Sequence, residues 1–396
     1  MKKPSKLRIL RGGPWFLPAP SIPVYYEDPK HPSSQILRER CGLDALRERA
    51  NGELDLFFLL QDHVKRLMVR HGWRFQLMKK KPIDALEILD AVESGYYMHC
   101  YYHAKLFCQC CEVLGYPARV VGARKQNLEI APEALHGNNG HEIAEVWSNT
   151  MRKWVLIDCD TNSHYERAGV PLSITELCRA CHGEDEQSVD WVLGDYQSEH
   201  DRTLGADGLI VGTQMTPEQS DLTMWRFVRD RVLDYYQIVL AAGRNDLFSH
   251  PKASPELVGF APSPATPPLY TDGMPFAEKI KFMNDEKVFN WSVNETALSL
   301  RLHGADQAAA AWEWTEETAV PQTDCSSLCA TLTHSMPYFD HFEYRTDADA
   351  SWRRCGETLE WRLHTGENRM EAAAVNTMGI RGSVANAVVL LEWSEQ

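Results

Sequence analysis

No run of about 18 consecutive apolar residues occurs in the chain, which leaves no candidate for an ordinary membrane-spanning helix. A long basic run is missing too: 41 Lys and Arg stand against 55 Asp and Glu, for a formal net charge of -14. That balance argues against nucleic acid or an anionic membrane surface as the main partner. The 11 cysteines are odd in number and lack even, regular spacing, so they do not read as a disulfide framework. Most read as reduced core residues and at most one as a nucleophile. After the basic stretch Met1 to Arg11, Gly12-Gly13-Pro14-Trp15 stands where a signal peptide needs its apolar segment. The expectation is a cytoplasmic chain, or a secreted one if a leader has been trimmed. There is no internal repeat.

Hydrophobic residues at 44% and charged residues at 24% are ordinary globular usage, and 396 residues exceed what one core usually supports. Six prolines between positions 14 and 32 predict an extended N-terminal arm laid over the surface. Leu56, Leu59, Leu60, Val64 and Leu67 fall on one helical stripe, and a second helix is expected from Ile83 to Val92. Six more prolines between 251 and 268 read as a linker. Beyond it, Ala297–Leu302, Leu359–Leu363 and Val388–Trp393 alternate apolar and polar between turn residues, the pattern of a β-sandwich. The expected layout is α+β: a catalytic domain over 1–250, a Pro-rich linker over 251–275 and an immunoglobulin-like β-sandwich over 276–396.

Residues 95–165 carry the chemistry. Cys100, Ala104, Phe107, Cys111 and Leu114 share a helix face, and Gly115 stands where a C-terminal cap belongs. Cys100 then lies in the first turn, where free N–H groups and the positive end of the helix dipole favour a thiolate and can bind an oxyanion. Two strands are expected at His141–Trp147 and Trp154–Asp158. With Asn149-Thr150 as a two-residue loop, Ile143 faces Leu156 and His141 faces Asp158, close enough to share a hydrogen bond. A slip of one residue would put Asp158 on the other face. The roles follow from the side chains: Cys100 as nucleophile, His141 as its base, Asp158 orienting the ring.

Cys100-x3-Ala104, Gly115-Tyr116-Pro117-Ala118-Arg119, His141-x3-Glu145-Val146 and Trp154-x3-Asp158, in that order, resemble the core of the transglutaminase-like superfamily. The chain is similar in this to bacterial transglutaminase-like proteins, animal transglutaminases and peptide:N-glycanases. The resemblance implies a papain-like fold with Cys, His and Asp in those three places. It also implies acyl transfer at an amide carbonyl through a thioester, on a peptide, protein or glycan-linked substrate. Residues 94–99 offer no Gln or Trp as a side-chain oxyanion donor, and that role stays open. No cofactor or metal is called for; the calcium requirement of some relatives finds no acidic ligand loop here.

Competing readings exist for each feature. Hydrolysis is weighed against a protein-glutamine transglutaminase or deamidase, a carbohydrate-active enzyme using carboxylates on the same fold, and a non-enzymatic binding module. His136 and His164 are rival bases, Asp160 a rival carboxylate, and Arg119 reads as a structural ion pair, with a substrate contact as its alternative. Cys178-x-x-Cys181-His182 matches a haem-attachment pattern, but Ser173-x-x-Glu176 reads as a capping box opening a helix through it. Cys108, Cys110 and Cys111 lack a second pair that would complete a zinc site. Trp291, Trp312, Trp314, Trp352 and Trp361 could form a sugar platform, though core packing is the commoner use.

Overall fold

The computed structural model describes residues 3–17, 24–69, 81–96, 98–124, 140–182, 189–196, 236, 238–251, 257–260, 281–302 and 327–394. The chain divides into two compact units. One gathers 20–148 with 153–291; the other gathers 1–19, 149–152 and 292–396.

In the first unit, four helices precede a central fifth: α1 (Pro32–Cys41), α2 (Leu43–Arg49), α3 (Glu53–Val69), α4 (Ala85–Glu93) and α5 (Cys100–Val113). The expected second helix is α4, with Asp84 as its N-cap accepting from the Glu87 N–H at 2.9 Å. A sheet follows, ordered β10-β9-β8-β2-β3-β4. Its strands are β2 (Ala118–Arg124), β3 (Gly140–Ser148), β4 (Lys153–Ile157), β8 (Ile238–Ala242), β9 (Leu257–Phe260) and β10 (Lys281–Met283). Strands β5 (Ser163–Arg167), β6 (Val170–Pro171) and β7 (Asp190–Leu193) make a small second sheet. Helices α6 (Ile174–His182) and α7 (Glu286–Phe289) complete the unit.

α5 lies between β2 and β3 on one side and α1, α3 and α4 on the other. That setting buries every residue from Tyr102 to Val113, polar ones included, rather than the single stripe expected. Gly115 ends the helix at φ 92, with Tyr116 N–H donating to the Cys111 carbonyl at 3.0 Å. Arg119 and Glu145, opposed on β2 and β3, form a fully buried ion pair at 2.6 Å. The guanidinium also donates to the Phe289 carbonyl at 2.9 Å and stacks 4.2 Å from the Trp154 ring centroid. Arg119 is therefore structural, as its sequence context predicted.

Several features depart from the expected layout, among them residues 276–291, expected in the sandwich and grouped with the first unit. Leu257–Phe260, inside the stretch read as linker, is a strand paired with β8, and Val258 and Phe260 are buried. Residues 252–256 and 261–280 lie outside the description. The N-terminal arm is not simply laid over the surface either: Tyr26 and Glu27 are buried, and His31 caps α1.

The second unit is a β-sandwich. One sheet runs β1-β17-β16-β13-β14 and the other β11-β12-β15. The strands are β1 (Lys3–Gly13), β11 (Thr296–Leu302), β12 (Ser327–His334), β13 (Phe339–Thr346), β14 (Arg353–Cys355), β15 (Thr358–Arg362), β16 (Gly366–Asn376) and β17 (Ala385–Ser394). Leu298, Leu300 and Leu328 from one sheet share a core with Leu7, Ile9, Val389 and Leu391 from the other. β1 thus belongs here and not to the unit carrying α5, because its alternating Leu7 and Ile9 complete this core against β17. The aromatic platform does not assemble among the described residues. Trp361 is buried, Trp352 lies beneath Arg345 and Arg381, and Trp291 is buried in the other unit. Trp312 and Trp314 lie outside the description.

Candidate active site

Cys100 opens α5. His99 precedes it in extended conformation and supplies no side-chain cap, so the dipole's positive end is left to the cysteine and whatever binds there. Cys100 is half-buried. Burial works to raise its thiol pKa, but hydrogen bonds with His141 and His99 and the charge on His141 outweigh it and hold the thiol below its ordinary range. Asp160 pushes weakly the other way. By contrast, burial drives Cys108, Cys111 and Cys159 well up, as an inert core thiol requires. Cys41 is also lowered, by its hydrogen bond with Cys110, but it is only 3% exposed and sits among core helices.

His141 is the second residue of β3, and its Nε2 lies 2.6 Å from Asp158 Oδ2. Burial disfavours the charged ring, yet the Asp158 carboxylate and the bond to Cys100 hold His141 protonated well above its ordinary range. For Asp158 the cost of burial is overcome by the His141 charge and by hydrogen bonds from Thr161, leaving it below the usual carboxylate range. The other oxygen, Oδ1, accepts from the backbone N–H groups of Asp160 at 3.0 Å and Thr161 at 3.2 Å.

The strand register differs from the expected one by two residues. Ser148 pairs with Lys153 and Glu145 with Leu156, so the loop is Asn149–Arg152 rather than two residues. Arg152 takes φ 54 to close it. A shift of two keeps every side chain on its face, so His141 meets Asp158 diagonally instead of directly. The pairing survived because the error was even.

Sequence reasoning missed the residues that hold Asp158 in place. Asp158 and Ser163 exchange two backbone hydrogen bonds of 2.8 Å across the turn 159–162. At its end Asn162 is fully buried, accepting from Gln61 Nε2 at 3.1 Å and donating to Asp62 Oδ1 at 2.9 Å. Lys65 Nζ donates to the Asp160 carbonyl at 2.5 Å. Gln61 and Lys65 are buried polar residues four apart on α3, which was the available signal: two polar positions inside an otherwise apolar stripe. The buried face of α3 accordingly runs through Leu56, Phe57, Leu60, Gln61, Val64, Lys65 and Met68.

Of the rivals, His164 stacks on Phe58 with centroids 4.0 Å apart and meets Glu166 at 3.1 Å. Asp160 stays near the site: its carboxylate, the Cys100 sulfur and a His141 nitrogen all lie within 4.8 Å of one another. His136 lies outside the described residues. The capping box forms reciprocally, Ser173 N–H to Glu176 Oε2 at 2.7 Å and Glu176 N–H to Ser173 Oγ at 3.3 Å, and Cys178 is buried in the helix it opens.

Residues 66–159 match the model of the transglutaminase-like superfamily. Among solved structures, the transglutaminase of red sea bream is similar at 11% identity, over 91% of this chain and 73% of that one, with a TM-score of 0.23. A score that low leaves the fold resting on the family match and on the geometry above. No curated protein matches the sequence. Among the described residues no helix is long and apolar enough to cross a membrane.

Proposed function

Because residues 66–159 carry a transglutaminase-like core, we propose that this protein is a cysteine-dependent acyl-transfer enzyme that cleaves an amide bond, with Cys100, His141 and Asp158 as its catalytic residues. The Cys100 thiolate adds to the amide carbonyl carbon, forming the C–S bond and a tetrahedral oxyanion. The backbone N–H of Cys100, at the start of α5, is the donor proposed for that developing charge. His141 then gives its proton to the amine as the C–N bond breaks, leaving a thioester. In the second half His141 takes a proton from water, hydroxide adds to the thioester carbon, and the thiolate leaves with the acid released. Asp158 keeps the ring oriented and stabilises its charged form through both halves.

One observation carries the reading: the activated thiol at a helix start beside a histidine that a buried carboxylate holds at 2.6 Å. Water is favoured as acceptor over an amine, and peptide or glycan-linked amides are the favoured substrates. An amine in place of water makes the same intermediate a transglutaminase reaction. The test is alkylation by iodoacetamide with mass-spectrometric assignment, followed by a panel of amide substrates. Fast labelling of Cys100 below about pH 7, lost in His141→Ala, and amide cleavage lost in Cys100→Ala are expected. Amide or glycan cleavage that survives Cys100→Ala would refute the cysteine mechanism.

A further inference from the structure

Asp160 is not used by the proposed reaction, yet it stands at the reacting groups. Its backbone is pinned at both ends, N–H to Asp158 Oδ1 at 3.0 Å and carbonyl to Lys65 Nζ at 2.5 Å. Its carboxylate is 29% exposed and lies 3.6 Å from His103 Nδ1. We propose that Cys100 Sγ, His141 and Asp160 form a binding site for one divalent cation of the zinc class, which switches the enzyme off reversibly by occupying the thiol. This rests on the reading of Cys100 as the reactive thiol.

The donor set selects the ion. One sulfur, one imidazole nitrogen and one carboxylate oxygen suit zinc and its neighbours; calcium and magnesium favour oxygen donors throughout. Around tetrahedral zinc, with bonds of about 2.0–2.3 Å, donor atoms stand about 3.3–3.8 Å apart. The three donors here lie within 4.8 Å of one another, so closing on an ion takes roughly 1 Å. The partly exposed Asp160 carboxylate is the group free to make that movement, on a backbone that stays fixed. His141 Nε2 is engaged by Asp158, which leaves Nδ1 for the ion and supplies the carboxylate–histidine pairing that orients metal-binding imidazoles. Three protein donors leave the fourth zinc position open to solvent or substrate. Among the described residues no other group of His, Cys, Asp or Glu gathers in this way.

The test uses the intact protein and zinc ion alone. Alkylation of Cys100 by iodoacetamide is followed across a zinc titration in wild type and in Asp160→Asn, each measured against its own zinc-free rate. Zinc is expected to protect wild-type Cys100, with the rate restored by a chelator. Asp160→Asn should need at least about tenfold more zinc for the same protection, since a ligand counts for no less than an outer partner. Cobalt ion should also give a thiolate charge-transfer absorption that vanishes in Cys100→Ser. Equal protection in Asp160→Asn, or no protection at all, would overturn the site. Slow zinc-free alkylation would instead sink the nucleophile reading, and the cobalt absorption would still decide whether the metal site exists.

Discussion

Replacing Asp158 by Asn changes one charge and almost no volume, so it isolates what the carboxylate does. The bond removed is charge-assisted, 2.6 Å long, with an acceptor that is fully buried. Hydrogen bonds to charged groups are worth about 1.5–3 kcal/mol. The Coulomb part between unit charges about 4 Å apart adds up to roughly 4 kcal/mol at an effective dielectric of 20. Much of this is the same interaction counted twice, so about 2–4 kcal/mol is the working figure, or about 30- to 1,000-fold in rate. The direction in pH follows from the signs. Asp158 holds His141 protonated, and the charged ring holds the Cys100 thiol down. Without the carboxylate the ring loses its proton at lower pH, the thiolate loses its partner, and alkylation of Cys100 begins at higher pH than in wild type. The assay is the pH profile of iodoacetamide labelling, read alongside far-ultraviolet circular dichroism to confirm folding. A folded Asp158→Asn protein whose Cys100 profile superimposes on the wild-type curve would refute the orienting role.

Three further perturbations have defined outcomes. A Cβ on Gly194 would lie 2.6–2.8 Å from the Asn162 side chain, so Gly194→Ala should cost about 1–3 kcal/mol and slow Cys100 labelling, seen in urea denaturation and alkylation; unchanged values would show that the turn does not position Asp158. Arg119→Met leaves Glu145 buried and unpaired, and denaturation should show a loss of about 3–5 kcal/mol, largely recovered in the double variant with Glu145→Leu; a loss under about 1 kcal/mol would contradict the buried pair. Burial holds the Glu112 carboxyl well above its ordinary pKa, and its Oε1 has no hydrogen-bond partner among the described residues. Its folded value is raised, so the stability it contributes is full below the unfolded carboxyl pKa and falls as pH rises toward the folded one. Glu112→Gln should therefore flatten the decline of the melting temperature above about pH 4.5, and a parallel decline in the variant would place the titration elsewhere.

That Cys100, His141 and Asp158 come together was legible because each sits at a place local rules describe: a helix start, a strand start and the end of a hairpin. His141 and Asp158 could be matched without their exact register, since period-two alternation tolerates an even error. Gln61, Lys65 and Asn162 were not legible in the same way. Their roles come from α3 meeting a turn about 100 positions further on, as in the Gln61–Asn162 bond, and no local periodicity reports such a meeting. The strand β9 was hidden by the prolines around it. β1 was hidden for the opposite reason, because its partner lies at the far end of the chain.

That last pairing has a consequence for biosynthesis. β1 leaves the ribosome long before β17, yet Leu7 aligns with Leu391 along their ladder. At about 5–20 residues per second, β1 waits roughly 20–80 s for its partner. During that time Leu7 and Ile9, almost fully covered in the finished sandwich, have no β17 to cover them. A chaperone acting on the nascent chain has its clearest work at β1.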